Sequence, residues 1–223
     1  MIKALTGERG LKLDSAIISR ESDQDSAQKQ IDEELYYLFG NAAKESVLAI
    51  KSEAESTGAL YKDFSTTLII TIQKKVATGY FVASYWVGDG GVGVYLQGQD
   101  LTLLGKADSG EFAGQTRFLD AAMITPQEIM NRIRSIIVPD FTAIIAMTDG
   151  ITDPEFETDA NIENRDKWAE LWAELSPLTE TPDPDAALLS WLDFWSPGNH
   201  DDRTIAMLYK AAPDAGTPAE VAA

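Results

Sequence analysis

Carboxylates stand at the ends of two apolar runs, where their type and position could serve metal chemistry. The run "FTAIIAMTDG" (141–150) carries Asp149 at its C-terminal end, and Asp201 and Asp202 come just before "TIAMLY" (204–209), separated from it by Arg203. If the two runs are antiparallel neighbouring strands, these carboxylates converge. Like charges a few ångström apart raise each other's pKa and destabilise the fold unless a cation lies between them, and hard divalent cations prefer oxygen ligands. The pattern therefore predicts a divalent-metal site.

A simpler interpretation of the same residues needs no metal. An aspartate in the turn after a strand is common, Asp202 can cap a turn, and Asp201 can pair with Arg203 or His200. Both interpretations are open at this point. His200 is the only histidine, and its place beside the aspartates predicts a supporting or capping role rather than catalysis.

The sequence lacks the residues that several other kinds of catalytic or binding site require. There is no cysteine and no G-x-S-x-G motif, which excludes a thiolate site and argues against a serine nucleophile. The glycines of "GDGGVG" (88–93) open no predicted helix, so nucleotide binding there is rejected. Alternating acids in 153–164 faintly resemble a calcium loop, but Thr158 and Asn164 stand where an EF-hand needs glycine and glutamate. That segment, 153–166, is predicted to be a solvated acidic loop.

Composition narrows the class of partner. The 223 residues suit one domain, and 44% hydrophobic residues suffice for a core. The net charge of −18, with no basic patch, argues against nucleic acid. We find no signal peptide and no apolar run long enough to span a membrane. The absence of cysteine favours a reducing compartment, so we expect a cytoplasmic location.

The spacing of apolar residues predicts the elements that must position the carboxylates. Residues 1–24 are polar and aperiodic and are expected to form a flexible leader, and 211–223 a disordered tail. Three- and four-residue steps predict a helix from Asp25 to Thr57, before Gly58. Two more helices are predicted at 167–178 and 185–195. β-Branched and aromatic runs predict strands at 64–73, 79–88, 92–97, 100–105, 141–150 and 204–210.

Connections between these elements set the fold class. "GDGG" (88–91) joins two strand-like runs and indicates a hairpin within an antiparallel meander. Residues 106–119 are predicted to form a long loop, and 125–139 a helix that gives way to a strand at Arg134–Val138. Helices before and after a block of strands indicate an α+β fold rather than alternating βαβ units.

Five segments together resemble the metal-dependent protein phosphatases of the PP2C (PPM) family, and more closely a bacterial branch of it. They occur in the family's order: "DFSTTLIITI", "YWVGDGGVGVY", "GEFAGQTRFL", "AMTDGITD" and "HDDRTIAML". The similarity covers roughly 25–210, which we expect to be the phosphatase domain. It implies an α-β-β-α sandwich of antiparallel sheets flanked by helices.

The resemblance also implies an activity and a set of ligands. Family members hydrolyse phosphoserine and phosphothreonine in proteins with a water activated by two Mn²⁺ or Mg²⁺ ions. By position, Asp149 and Asp201 match metal ligands, and Asp108 lies where some members bind a third, looser metal. Gly150 follows its ligand as the family's glycine does, and Asp202 takes the place of the family's asparagine. Asp89 matches an aspartate that we interpret as structural. Bacterial relatives often act opposite a Ser/Thr kinase.

One departure from the family concerns the N-terminal region. The family's first strand and its D-G-x-G-G motif supply a bridging aspartate, a glycine carbonyl ligand and a phosphate-binding arginine, and no match precedes Asp25. The comparison therefore implies an N-terminally incomplete domain with half of the metal site. The alternative function is a catalytically incomplete PP2C-like fragment or pseudophosphatase that acts as an acidic protein-binding module.

Overall fold

A computed structural model describes residues 8–19, 24–106, 116–193 and 201–210. Two short 3₁₀ helices, Tyr61–Phe64 and Asp159–Glu163, accompany the main elements. The helices are α1 (Glu8–Ser19), α2 (Gln24–Thr57), α3 (Pro126–Asn131), α4 (Asp149–Phe156), α5 (Arg165–Thr179) and α6 (Pro184–Trp191). The strands are β1 (Leu68–Val76), β2 (Gly79–Val87), β3 (Gly91–Leu96), β4 (Asp100–Gly105), β5 (Ile133–Val138), β6 (Ala143–Met147) and β7 (Ile205–Tyr209).

The strands form two antiparallel sheets that pack face to face. One sheet has the order β1-β2-β5 and the other the order β4-β3-β6-β7. Between the sheets lies a core that includes Val82, Val94 and Ile144. Because β2 and β3 are buried on both faces, their side chains do not alternate between apolar and polar, as expected for strands that are covered on both sides.

Helices cover the two outer faces of this sandwich. The outer face of the first sheet packs on α1, α2 and α3 through residues such as Leu35, Phe39 and Phe81. The outer face of the second sheet packs on α5 through Trp168, Leu171 and Trp172 among others. The α+β class and the sandwich of antiparallel sheets flanked by helices are confirmed. None of the helices in the described ranges combines the length and hydropathy needed to cross a bilayer.

The flexible leader predicted for 1–24 is wrong over Glu8–Ser19, which forms α1. Leu13, Ala16 and Ile17 are buried against the first sheet and α2. Ala16 and Ile17 follow Leu13 by three and four residues, which places them on one helical face, a pattern too short to stand out in a polar segment. The remainder of the leader and the tail at 211–223 lie outside the described residues.

The hairpin predicted at "GDGG" is also wrong, because this turn carries the chain from one sheet to the other. β2 pairs with β1 and β5, whereas β3 pairs with β4 and β6, so β2 and β3 are not partners. Gly88 has a φ of +119°. A Cβ on Gly90 would lie 2.2 Å from the Met147 carbonyl oxygen. Glycine is therefore needed for a close passage beside β6 rather than for a hairpin turn.

The solvated loop predicted for 153–166 is largely helical. The α4 helix continues to Phe156, which is buried, and a 3₁₀ turn follows at Asp159–Glu163. The Trp168 indole N–H donates to the Ile162 carbonyl at 2.8 Å and ties this turn to α5. The solvent-facing acidic residues give this segment a polar sequence pattern, from which its buried contacts could not be predicted. The change from helix to strand within 125–139 and the apolar stripe of α5 are confirmed.

Candidate active site

The end of β6 and the start of β7 lie side by side. The two strands are antiparallel, with Met147 opposite Ile205. Beyond that pair, the Thr148 N–H donates to the Thr204 carbonyl at 3.0 Å and the Thr204 N–H donates to the Thr148 hydroxyl at 2.9 Å. The Thr148 hydroxyl also donates to the Asp202 carbonyl at 3.0 Å. The predicted juxtaposition of the segments that carry Asp149, Asp201 and Asp202 is therefore confirmed.

Gly150 allows this close approach. A Cβ at this position would lie 2.7 Å from the Asp202 carbonyl oxygen and 3.0 Å from Cγ of Arg203. No side chain fits there without displacing the β7 segment. The Gly150 N–H donates to Oδ1 of Asp149 at 2.9 Å, which orients the carboxylate at the first turn of α4. The glycine thus fixes both the position of Asp149 and the path of the neighbouring carboxylates.

Asp149 lies in a strongly negative environment. Partial burial, followed by the charges of Asp89 and Asp201, raises its pKa from 3.8 to about 6. The N–H of Gly150 acts in the opposite direction and lowers this pKa. Nearby Asp153 also has a raised pKa, first because of burial and then because of Asp89, Asp159 and Asp201. Such mutual repulsion marks a position where a bound cation would be stabilising.

Asp89 belongs to this cluster, although its sequence context was interpreted as a structural turn. Its charge contributes, after burial, to the raised pKa of Asp149, and the Thr116 hydroxyl donates to Asp89 Oδ2. The crossing between the sheets brings it there, since Gly90 and Gly91 pass directly beside β6. One signal was available in the sequence: "VGDGG", like "MTDG", places an aspartate and a glycine at the end of a buried strand.

The carboxylates open onto a cleft of about 660 Å³ between the two sheets. Asp149, Asp201 and Asp202 line one side of it. The opposite side carries the consecutive hydroxyls of Ser65–Thr67, which precede β1. The cleft therefore offers oxygen ligands for a cation beside a row of hydroxyl-bearing residues, of which Ser65 and Thr66 donate to backbone carbonyls.

The predicted ligands are only partly within the described structure. Asp108 and His200 lie outside the described residues, and Asp202 is exposed with its carbonyl turned to Thr148. Asp201 Oδ1 accepts from the Asp202 N–H at 3.0 Å, which is also compatible with the simpler turn interpretation. Within the described part of the chain, no three His, Cys, Asp or Glu side chains converge as a complete metal cage.

The chemistry of the site fits a hydrated divalent cation better than a closed protein cage. After burial, the charge of Asp89 contributes to the raised pKa of Asp149, and Asp89 Oδ1 is buried without a hydrogen-bond partner among the described residues. A cation beside these two carboxylates would offset their repulsion. Mg²⁺ in particular keeps several waters and uses only one or two carboxylates. The donor set therefore suits Mg²⁺ or Mn²⁺ held by Asp149 with Asp89 or Asp201.

Comparisons with known proteins agree with this architecture. Among solved structures, the crystal structure of serine-threonine phosphatase 2C from Toxoplasma gondii has a TM-score of 0.51 and 16% identity, covering 92% of this chain and 75% of that chain. At this identity the likeness concerns the fold. No curated protein matches the sequence significantly. The family model described as protein phosphatase 2C matches residues 11–193. Because this match spans most of the sequence, the chain belongs to the protein phosphatase 2C family.

Proposed function

We propose that this chain hydrolyses phosphoserine and phosphothreonine monoesters in proteins with the help of Mn²⁺ or Mg²⁺. Family membership supports phosphatase activity. The observation that supports the metal requirement is the juxtaposition of the β6 and β7 ends, which places Asp149 where burial and then the charges of Asp89 and Asp201 raise its pKa. Asp201 lies beyond the residues that the family model matches, so its role in the proposal depends on the geometry alone.

Asp149 and Asp201, with Asp89 as the third carboxylate, are the residues that we assign to cation binding. A bound Mn²⁺ or Mg²⁺ would activate water at neutral pH and stabilise charge on the phosphoryl oxygens. Asp149 is suited to this role because the Gly150 N–H and the first turn of α4 fix its orientation. A rigid ligand costs little conformational entropy when the cation binds.

The hydroxyls on the opposite side of the cleft suit a phosphate ester. Ser65, Thr66 and Thr67 line the cleft opposite the carboxylates. The Ser65 hydroxyl donates to the Lys62 carbonyl at 2.7 Å and the Thr66 hydroxyl donates to the Thr67 carbonyl at 3.2 Å. Donation to a phosphoryl oxygen therefore requires each of these hydroxyls to rotate away from its present acceptor. We assign them to orienting the substrate ester beside the cation.

A second function is favoured by a different observation. The chain has a net charge of −18. This charge fits a PP2C-like module that binds a partner through its acidic surface and does not catalyse hydrolysis. The two functions differ in whether the isolated chain turns over a phosphomonoester.

Hydrolysis of p-nitrophenyl phosphate with added Mn²⁺ distinguishes these functions. We expect metal-dependent turnover in the natural chain and a loss of at least about 100-fold in D149N. The matched control is D100N, because Asp100 Oδ1 accepts from the following backbone N–H at 2.9 Å, as Asp149 Oδ1 does. Turnover no higher in the natural chain than in D149N would contradict the phosphatase proposal for the isolated chain and support the binding module.

Several finer predictions belong to this proposal. Asp108 as a ligand for a third metal and His200 as a supporting residue remain predictions. So do the bacterial branch, the cytoplasmic location, the N-terminally incomplete domain and a Ser/Thr kinase that supplies the phosphoprotein.

A further inference from the structure

The carboxylate of Asp89 is held by a hydroxyl at one oxygen and left without a partner at the other. The Thr116 hydroxyl donates to Oδ2. Oδ1 is inaccessible to solvent and has no hydrogen-bond partner among the described residues. A buried carboxylate oxygen that meets neither a donor nor a cation is costly. Oδ1 is therefore the atom of Asp89 that is available to a cation.

Two glycines fix the backbone of Asp89. A Cβ on Gly88 would lie 2.4 Å from Cγ2 of Thr67, and a Cβ on Gly90 would lie 2.2 Å from the Met147 carbonyl oxygen. The turn that carries Asp89 thus passes between the segment before β1 and the end of β6, with no room for a side chain on either neighbour. The fold therefore sets the position of the Asp89 Cα.

A fixed backbone still leaves the orientation of the carboxylate plane undetermined. Rotation about χ2 of an aspartate has a broad energy profile, because this bond joins a tetrahedral carbon to a trigonal one. The hydrogen bond from Thr116 to Oδ2 restricts this rotation and thereby fixes where Oδ1 lies. Thr116 is thus placed to orient a ligand oxygen without contacting the ligand itself.

The segment that carries Thr116 is itself tied to the wall of the cleft. Three residues further on, the Leu119 N–H donates to the Thr66 carbonyl at 2.8 Å, and the Tyr61 hydroxyl donates to the Leu119 carbonyl at 3.0 Å. Leu119 is buried. Thr116 lines the same cleft as Asp149. The Thr116 hydroxyl therefore donates from a segment whose position the fold already determines.

We propose that Thr116 is a positioning residue for the cation site and that it acts through Asp89. This role rests on the proposed phosphatase function, because Thr116 would orient one of the carboxylates assigned there to cation binding. Carboxylates that bind a metal ion are in turn hydrogen-bonded, and loss of such a partner lowers metal affinity by about 10- to 100-fold. The hydroxyl group of Thr116 should matter and its methyl group should not, because only the hydroxyl can donate to Asp89.

Titration with Mn²⁺ followed by electron paramagnetic resonance tests this role without turnover, since free hydrated Mn²⁺ gives a strong signal that binding removes. T116V keeps the shape of the side chain and removes the donor, so its Kd for Mn²⁺ should rise at least about tenfold. T116S keeps the donor and should stay within about threefold of the natural chain. An unchanged Kd in T116V, or a Kd in T116S as high as that in T116V, would overturn the role of the hydroxyl.

A threonine at the opposite end of β6 provides the matched control, T142V. The Thr142 hydroxyl accepts from the Gln97 N–H at 2.9 Å, just before β6 begins. T142V therefore removes a hydrogen-bonding hydroxyl outside the site and should leave the Kd for Mn²⁺ unchanged. Urea unfolding in EDTA shows whether each variant is folded, and T116A replaces T116V if the latter is not. A T142V variant that binds as weakly as T116V would attribute the loss to the fold and overturn the positioning role.

A double-mutant cycle tests whether Thr116 acts through Asp89. D89A removes the carboxylate that Thr116 orients and should itself weaken Mn²⁺ binding. In the D89A background, T116V should then change the Kd by less than about twofold. A further loss of about tenfold in the double variant would show that Thr116 acts independently of Asp89, and an unchanged Kd in D89A would show that Asp89 is no ligand. Either result would overturn the proposal.

Hydrolysis of p-nitrophenyl phosphate separates this role from the phosphatase proposal. If the site is catalytic, the deficit of T116V should shrink as Mn²⁺ is raised above its higher Kd, because occupancy is restored. The expected differences in Kd without any turnover would overturn the phosphatase proposal and leave the positioning role standing. Metal-dependent turnover with equal Kd values in T116V and the natural chain would do the reverse. A natural chain that binds no Mn²⁺ would overturn the positioning role together with the cation site.

Discussion

Replacing Asp149 by asparagine should stabilise the metal-free protein at pH 8 and not at pH 4. The substitution removes one of the charges that the ends of β6 and β7 bring together. The amide oxygen of asparagine can still accept the hydrogen bond from the Gly150 N–H, which measures 2.9 Å in the structure. The change therefore removes first the cost of burying the charge and then its repulsion with Asp89 and Asp201, and it retains the local backbone geometry.

The pKa of Asp149 sets the sign and the pH range. Its value is raised from 3.8 to about 6 in the folded chain. Between these values the folded chain keeps the proton and the unfolded chain has lost it, so the free energy of unfolding falls as pH rises. The destabilisation is complete above about pH 6 and absent below about pH 4. A pKa difference of about two units corresponds to about 3 kcal/mol at most.

Two effects reduce the size of the gain. Asp149 is only partly buried, so solvent screening reduces the combined cost of burial and repulsion to about 1–2 kcal/mol. Its charge at the first turn of α4 also interacts favourably with the helix N-terminus, which contributes about 0.5 kcal/mol in the opposite direction. The net gain expected for D149N at pH 8 is about 1 kcal/mol. For a domain of this size that is a rise of about 2–4 °C in Tm.

The assay is urea unfolding in EDTA at pH 4, 6 and 8, with D100N as the matched control. Adding Mn²⁺ at about 100 times its Kd should stabilise the natural chain by about 2.7 kcal/mol and reverse the order of the two proteins. A gain in D149N that is the same at all three pH values would refute ionisation of this buried, repelled carboxylate as its cause. An equal Mn²⁺ effect on both proteins would refute the assignment of Asp149 as a metal ligand.

Three further substitutions test the packing that positions the site, each by urea unfolding. G150A should lower the free energy of unfolding by at least about 2 kcal/mol, because its Cβ would lie 2.7 Å from the Asp202 carbonyl oxygen. A change below about 0.5 kcal/mol would show that the segment before β7 moves aside freely. W168A should cost about 3–5 kcal/mol, because the indole is fully buried in the second sheet's outer core, and a cost below about 1 kcal/mol would contradict that packing. S84A should lower the free energy of unfolding by about 1–2 kcal/mol, since the Ser84 hydroxyl donates to the Leu104 carbonyl at 2.5 Å between the sheets. An unchanged urea midpoint would mean that water replaces the hydroxyl.

The sequence by itself determined most of the elements and two carboxylate positions. The spacing in α2 and α5 and the β-branched runs of β6 and β7 are local patterns, and local patterns specify local structure. Asp149 and Asp201 could be predicted as a pair because each lies at the end of such a run. Their convergence required only that β6 and β7 be antiparallel neighbours, as they are.

Only the tertiary structure decided which other residues join them. A turn between two strand-like runs does not reveal whether the strands share a sheet, so the crossing after β2 and the position of Asp89 beside Asp149 could not be derived locally. The short apolar face of α1 likewise could be interpreted only from the folded structure, in which the first sheet buries it. Gly150 resembled an ordinary turn glycine, and its requirement comes from the Asp202 carbonyl on a distant segment. Each of these features depends on contacts between residues far apart in the chain, which the sequence specifies only through the completed fold.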